Sequence, residues 1–129
     1  MKQILYIFLL VFTCLFSCQK SERDMMIGSY ESKSSGRVLH LSLYKDSTFM
    51  HSNMNSIDLG NNIHSIQING KWVLSNDSLI LLDENISING DTQKNYNDTP
   101  RKFQIVEFDE SILVLKDVNN VINEYRKIR

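Results

Sequence analysis

Residues 37–44 read Arg37-Val38-Leu39-His40-Leu41-Ser42-Leu43-Tyr44, and this stretch decides the fold class. Leu39, Leu41 and Leu43 fall on one side of an extended chain, with His40, Ser42 and Tyr44 on the other. A period of two is the mark of a strand with one face in a core and the other toward water. Lys45-Asp46-Ser47 then supplies turn residues, and Thr48 to Asn53 returns antiparallel with Phe49 among its residues. A turn centred near residues 45 and 46 would set His40 opposite His51. Gly28 and Tyr30 lie in a short opening strand before this hairpin.

The same pattern continues downstream. Asp58 to Asn62, with Gly60 inside, reads as a loop. His64, Ile66, Ile68, Trp72 and Leu74 share one parity across Asn69-Gly70, which is either a turn or a bulge. Ser75-Asn76-Asp77-Ser78 reverses the chain into Leu79-Ile80-Leu81-Leu82, and Trp72, the single tryptophan, belongs in the core. Asp83-Glu84 is read as part of a turn leading to a weak strand at Ile86-Ser87-Ile88, closed by Asn89-Gly90-Asp91. Gly90 to Pro100 has no aliphatic side chain and is expected to be the longest loop. Lys102 to Phe108, Ser111 to Lys116 and Val121 to Ile128 finish the meander. Seven to eight short strands joined by polar turns predict an all-β domain, a small antiparallel β-barrel or sandwich. Short strands favour the barrel, because closure removes unpaired edges.

Three segments carry a resemblance: Gly28-Ser29-Tyr30, then Leu41-Ser42-Leu43-Tyr44-Lys45-Asp46-Ser47-Thr48-Phe49, then Gly70-Lys71-Trp72-Val73-Leu74 followed by Asp77-Ser78-Leu79-Ile80-Leu81. Together they resemble the small lipocalin-like lipoproteins of the Bacteroidetes type. The resemblance implies a lipocalin-like β domain after an N-terminal signal helix. It covers residues 28–82, and 102–126 only through repeated hairpins. Its motifs describe turns and core aromatics, so it implies a fold and not an activity.

Upstream of the domain, Lys2 precedes an apolar run over residues 4–16, which stops at Ser17. That is the layout of a secretory signal, and the run falls short of the about 20 residues that a membrane span needs. Leu15-Phe16-Ser17-Cys18 resembles the lipobox of bacterial lipoproteins, although Phe16 stands where a small or polar residue is usual. The resemblance implies cleavage before Cys18 and acylation of its thiol and its freed amine. The expected organisation is a signal peptide over 1–17, a lipidated cysteine with a short tether over 18–26, and the β domain over 27–129. Removal of the signal also removes Cys14, leaving Cys18 to the lipid, with no disulfide and no thiol-based metal site or catalysis. More than one acyl chain is what stable anchoring requires. Lipid anchoring in the outer membrane of a Gram-negative bacterium is the expected location.

After cleavage the chain keeps 13 basic and 15 acidic residues. No long basic run points to nucleic acid. The tail Arg126-Lys127-Ile128-Arg129 reads as a solvated terminal cluster. One proline and no alanine leave isoleucine, leucine, valine, serine and asparagine to dominate, which suits strands and turns.

Candidates for chemistry are few. His40 and His51, paired across the first hairpin, could form a metal site with His64 or Asp58. Their spacing matches no ligand signature, and the preferred reading places them on a polar or half-buried strand face, with no metal or other cofactor. The pairs Asp83-Glu84 and Asp109-Glu110 are assigned to turns facing water, not to acid–base work. Asp91, Asn95, Asn97 and Asp98 lack the spacing of a calcium loop. No G-x-S-x-G elbow and no phosphate loop is present. The expectation is therefore a non-enzymatic envelope lipoprotein that binds a small apolar ligand in its barrel. The alternatives are a structural or protein-interaction module, and a metal-binding or stress-sensing lipoprotein. Its partners would be membrane lipid, through acylated Cys18, and an apolar ligand or an envelope protein.

Overall fold

A computed structural model describes residues 3, 4, 6, 21–34, 36–55, 65–95 and 99–129. The lipobox with Cys18, the loop over 58–62 and His64 lie outside the described residues. Within them the chain forms a short helix α1 (Glu22–Met26) and nine strands: β1 (Gly28–Ser34), β2 (Arg37–Leu43), β3 (Thr48–Asn55), β4 (Ser65–Ser75), β5 (Ser78–Ile88), β6 (Asp91–Lys94), β7 (Arg101–Phe108), β8 (Ile112–Lys116) and β9 (Ile122–Lys127).

All pairings are antiparallel. Strands run β4-β3-β2-β1-β9-β8-β7-β5, and β5 pairs back onto β4, so eight of the nine close into a barrel. β6 stays outside that ring, paired only with the second half of β5. A closed eight-stranded antiparallel barrel behind a short helix is a lipocalin-like fold, and an interior of that strand number is just wide enough to be filled by side chains or to hold one small ligand.

One end of the barrel is solid. Tyr30, Leu41, Leu43, Phe49, Trp72, Leu79, Leu81 and Leu113 point inward and are almost fully buried, with Met26 of α1 among them. Trp72 donates its indole N–H to the Tyr44 carbonyl at 2.9 Å. Arg23 of α1 lies over the Trp72 ring at 4.6 Å and donates to Ser47 Oγ at 2.7 Å and to the Lys45 carbonyl at 3.2 Å. The Tyr30 hydroxyl donates to the Met26 carbonyl at 2.6 Å, and Lys127 donates to that of Met25. The helix thus packs against the base of the barrel and closes it.

Three of the turns follow one chemical device. A single carboxylate oxygen of Asp46, Asp109 or Asp117 accepts backbone N–H groups two to four residues on, satisfying donors that the reversal strips from the ladder. Hydrogen bonds to Thr48 and to Ser111 hold the Asp46 and Asp109 carboxyls below the usual range. Asn76 and Asn89 take the left-handed backbone that the tight β4–β5 and β5–β6 turns demand, and Gly90 follows Asn89 in the same region.

Three expectations are corrected. The β2–β3 register pairs Leu41 with His51 and His40 with Ser52, one residue off the pairing of His40 with His51. A one-residue slip moves a side chain to the opposite face, so the two histidines are on different sides of the sheet. Asp83-Glu84 is not a turn but the middle of an eleven-residue β5. Gly90 to Pro100 is not all loop, since Asp91–Lys94 forms β6 against Asn85–Ile88.

The junction at Asn69-Gly70 is a bulge. Asn69 pairs with Asn85 and Gly70 with Asp83, so Glu84 is the extra residue and β4 keeps its parity. A Cβ on residue 70 would collide with the carbonyl oxygen of Leu82. Gly70→Ala is therefore expected to lower stability by about 3 kcal/mol, read as the urea midpoint at unchanged slope. A loss within ~0.5 kcal/mol, the range of an ordinary surface change, would show that the strands do not approach this closely.

Candidate functional site

Toward the end opposite α1 the inward side chains become smaller or polar. Tyr30 gives way to Ser32, Phe49 to His51 and Asn53, and Tyr125 to Asn123 along their strands. Less side-chain volume leaves a cavity of about 540 Å³ lined by Leu39, His51, Pro100, Arg101, Phe103 and Tyr125, with Thr99, Lys102, Asp117, Val118 and Asn123 completing the wall and rim. A second groove of about 590 Å³ lies where β1 and β9 diverge, lined by Glu31, Lys33, Glu124 and Arg126 together with Ser32 and Asn123. It is larger, but strongly charged and unlined by aromatics. The interior cavity has the apolar walls and few converging polar groups of a ligand site.

Those polar groups form a chain. Arg101, at the start of β7, donates Nε and Nη2 to Asp83 Oδ1 at 3.0 and 2.9 Å, and its Nε lies 2.7 Å from Oδ2. Its Nη1 lies 3.2 Å from His51 Nδ1, and Tyr125 Oη lies 3.3 Å from His51 Nε2. The guanidinium also sits 5.9 Å from the Phe49 ring centroid and 5.8 Å from that of Phe103. Burial, reinforced by the Arg101 charge, pulls the His51 pKa down to about 4, and burial pushes that of Tyr125 up to about 12. Both are neutral at pH 7. At the next inward position of β3, Asn53 Oδ1 is buried and accepts no hydrogen bond among the described residues.

Protonation in this chain follows from donor arithmetic. Arginine only donates, so the neutral His51 must accept at Nδ1 and carry its proton on Nε2. Nε2–H then donates to the Tyr125 oxygen. Tyr125 keeps its own proton, and no second partner for it is found among the described residues.

The sequence candidates separate. His51 is in the cup, whereas His40 is on the outer face, 4.0 Å from Glu31 Oε2. No group of three histidine, cysteine or acidic side chains among the described residues is arranged to hold a metal. Asp83, Arg101 and Tyr125 were missed as site residues. A signal existed: Asp83 shares the parity of Leu79 and Leu81, and Arg101 that of Phe103 and Ile105. No known protein-family model and no curated protein matches the chain.

His51 carries a linkage consequence. Its folded pKa, about 4, is below the ordinary 6.5, so the unfolded chain binds the extra proton between those values. The stability in question is present above pH 6.5 and is lost as pH falls through 4, on the order of 3 kcal/mol in full. Denaturation followed across that window is expected to show this loss relative to His51→Gln, with Arg101 and Tyr125 unchanged. Parallel pH profiles for the two proteins would contradict a buried, neutral His51.

Proposed function

We propose that this protein is a non-enzymatic, lipid-anchored envelope protein of the Bacteroidetes lipoprotein type that holds a small, largely apolar ligand in the open end of its barrel. The observation that carries the binding half is the division of the interior: a packed base and an aromatic-lined cavity of about 540 Å³ above it. That volume is in the range of small-molecule sites.

The anchoring half rests on the sequence. Lys2, the apolar run and Leu15-Phe16-Ser17-Cys18 support acylation at Cys18, and among the described residues no helix is long and apolar enough to cross a membrane. Ser21 caps α1, which begins at Glu22. Three Cα steps from Cys18 to Ser21 span roughly 10 Å at full extension. Anchoring there would hold the plugged base against the outer membrane and turn the cup away from it.

A protein-interaction role has one observation in its favour. Val118, Val121 and Ile122 are exposed together at the β8–β9 turn, beside the cavity mouth. An apolar tip at a rim is a place where a partner protein could dock.

Two experiments test the proposal. The mature chain carrying Cys18→Ser is titrated with N-phenyl-1-naphthylamine, a neutral apolar fluorophore. Saturable one-site binding is expected, weakened about tenfold, ~1.4 kcal/mol, by Leu39→Trp, which fills the cup. A flat titration would move the function to the outer surface. In cells, radiolabelled palmitate is expected to enter the wild-type chain and not Cys18→Ser, and equal labelling of both would remove the anchor from the account.

A further inference from the structure

An arginine in an apolar cup suggests a receptor for an anionic head group, but the chain of hydrogen bonds here argues otherwise. Nε and Nη2 of Arg101 are engaged by Asp83, and Nη1 by His51. The Asp83 side chain is 11% exposed and that of Arg101 28%. The pair is therefore internally neutralised in a place that water reaches poorly, and His51 adds no charge. A carboxylate entering the cup would be a second anion competing for one cation, beside Asp83, after losing its own hydration. At the rim Lys102 and Asp117 carry opposite charges and supply no net positive field.

Arg101 keeps one further N–H on each of Nη1 and Nη2, but its charge is already matched by Asp83, and the uncharged donor in the wall is the Tyr125 hydroxyl. Its oxygen is occupied by His51 Nε2–H, which orients it and leaves the O–H as a donor in the wall of the cavity. The Tyr125 phenol does not ionise in the ordinary pH range, so this donor is always present. A buried donor without a partner is costly, and a ligand acceptor oxygen relieves that cost.

We infer that the cup selects an uncharged amphiphile: a carbonyl, ester or hydroxyl oxygen accepts from Tyr125, the apolar body lies against Leu39, Pro100 and Phe103, and fatty carboxylates are rejected. The inference rests on the ligand-binding proposal above and adds the chemical class. In it Asp83 is the residue that sets specificity, by holding Arg101 away from the ligand, and His51 is a positioning residue.

The test is displacement of N-phenyl-1-naphthylamine from the mature Cys18→Ser chain at pH 8 by three probes of one chain length: methyl decanoate, 1-decanol and decanoate. Methyl decanoate and 1-decanol are expected to displace it, with decanoate weaker by about tenfold or more. Tyr125→Phe is expected to weaken methyl decanoate about fivefold more than it weakens the fluorophore, which has no acceptor oxygen, when both are titrated on the variant. The ester carbonyl stretch of bound methyl decanoate should fall in frequency in the wild-type protein and not in Tyr125→Phe. Asp83→Asn, which frees Arg101, should raise the affinity for decanoate and reverse the order. Decanoate binding as tightly as the ester to the wild-type protein overturns the inference, even if neither variant folds. Fluorophore binding that none of the three probes displaces also overturns it, while leaving the cup intact. Absence of fluorophore binding overturns the ligand-binding proposal itself.

Discussion

A guanidinium drawn into the wall of a barrel has to meet a counter-charge, and the meeting of Arg101 with Asp83 organises the open half of this molecule. Asp83 is placed for it by the inward parity of Leu79 and Leu81, with the bulge at Glu84 following immediately. Beyond that bulge β5 leaves β7 and takes β6 as its partner, so the wall splits above Arg101. The same few residues thus fix the charge pair, end the barrel wall on that side and leave the mouth open. Gly70 is the partner that makes the bulge sterically possible.

The closed half obeys a different constraint. Eight strands enclose a volume that side chains can fill, and at the base Trp72, Tyr30, Phe49 and five leucines fill it. Each aromatic with a polar tip has its partner there: Trp72 on Tyr44, Tyr30 on Met26. Arg23 and Met26 bring α1 into this packing, which makes the helix a structural plug. Higher up, serine, asparagine and histidine replace the large apolar residues at the same inward parity. The cavity is the space that this exchange leaves.

Much of this was legible in the sequence. Alternation at Leu39-Leu41-Leu43 and the shared parity of Ile66, Ile68, Trp72 and Leu74 were enough for an all-β domain, barrel or sandwich, with Trp72 inside, and the shortness of the strands favoured the barrel. What escaped were places where period two is interrupted or carries no apolar residue. β6 reads Asp-Thr-Gln-Lys, is exposed throughout, and is joined to β5 by its ladder and a Ser87–Thr92 hydroxyl pair, so it leaves no hydrophobic signature. Asp83-Glu84 looks like a turn because two acids adjoin, and only the cross-strand context of a bulge makes them strand. In β7 the inward residues pass from Ile105 to Phe108 because Val106 is skipped, another bulge. The His40–His51 pairing failed by one residue: Tyr44 and Thr48 hydrogen-bond across the turn, and this sets Leu43 against Phe49. The site was the least legible part, since its four polar members come from four different strands, β3, β5, β7 and β9, that only closure of the barrel brings together.

The account turns on a neutral His51 locked between Arg101 and Tyr125, and long-range nitrogen–proton correlation NMR of its ring reads this directly. The expected spectrum shows an unprotonated Nδ1 and a protonated Nε2, persisting from pH 7 down to about pH 5, above the depressed pKa of about 4. A ring that is doubly protonated near pH 6, or one with its proton on Nδ1, would mean that the Asp83–Arg101–His51–Tyr125 chain is not as described, and the chemistry assigned to the cup would go with it.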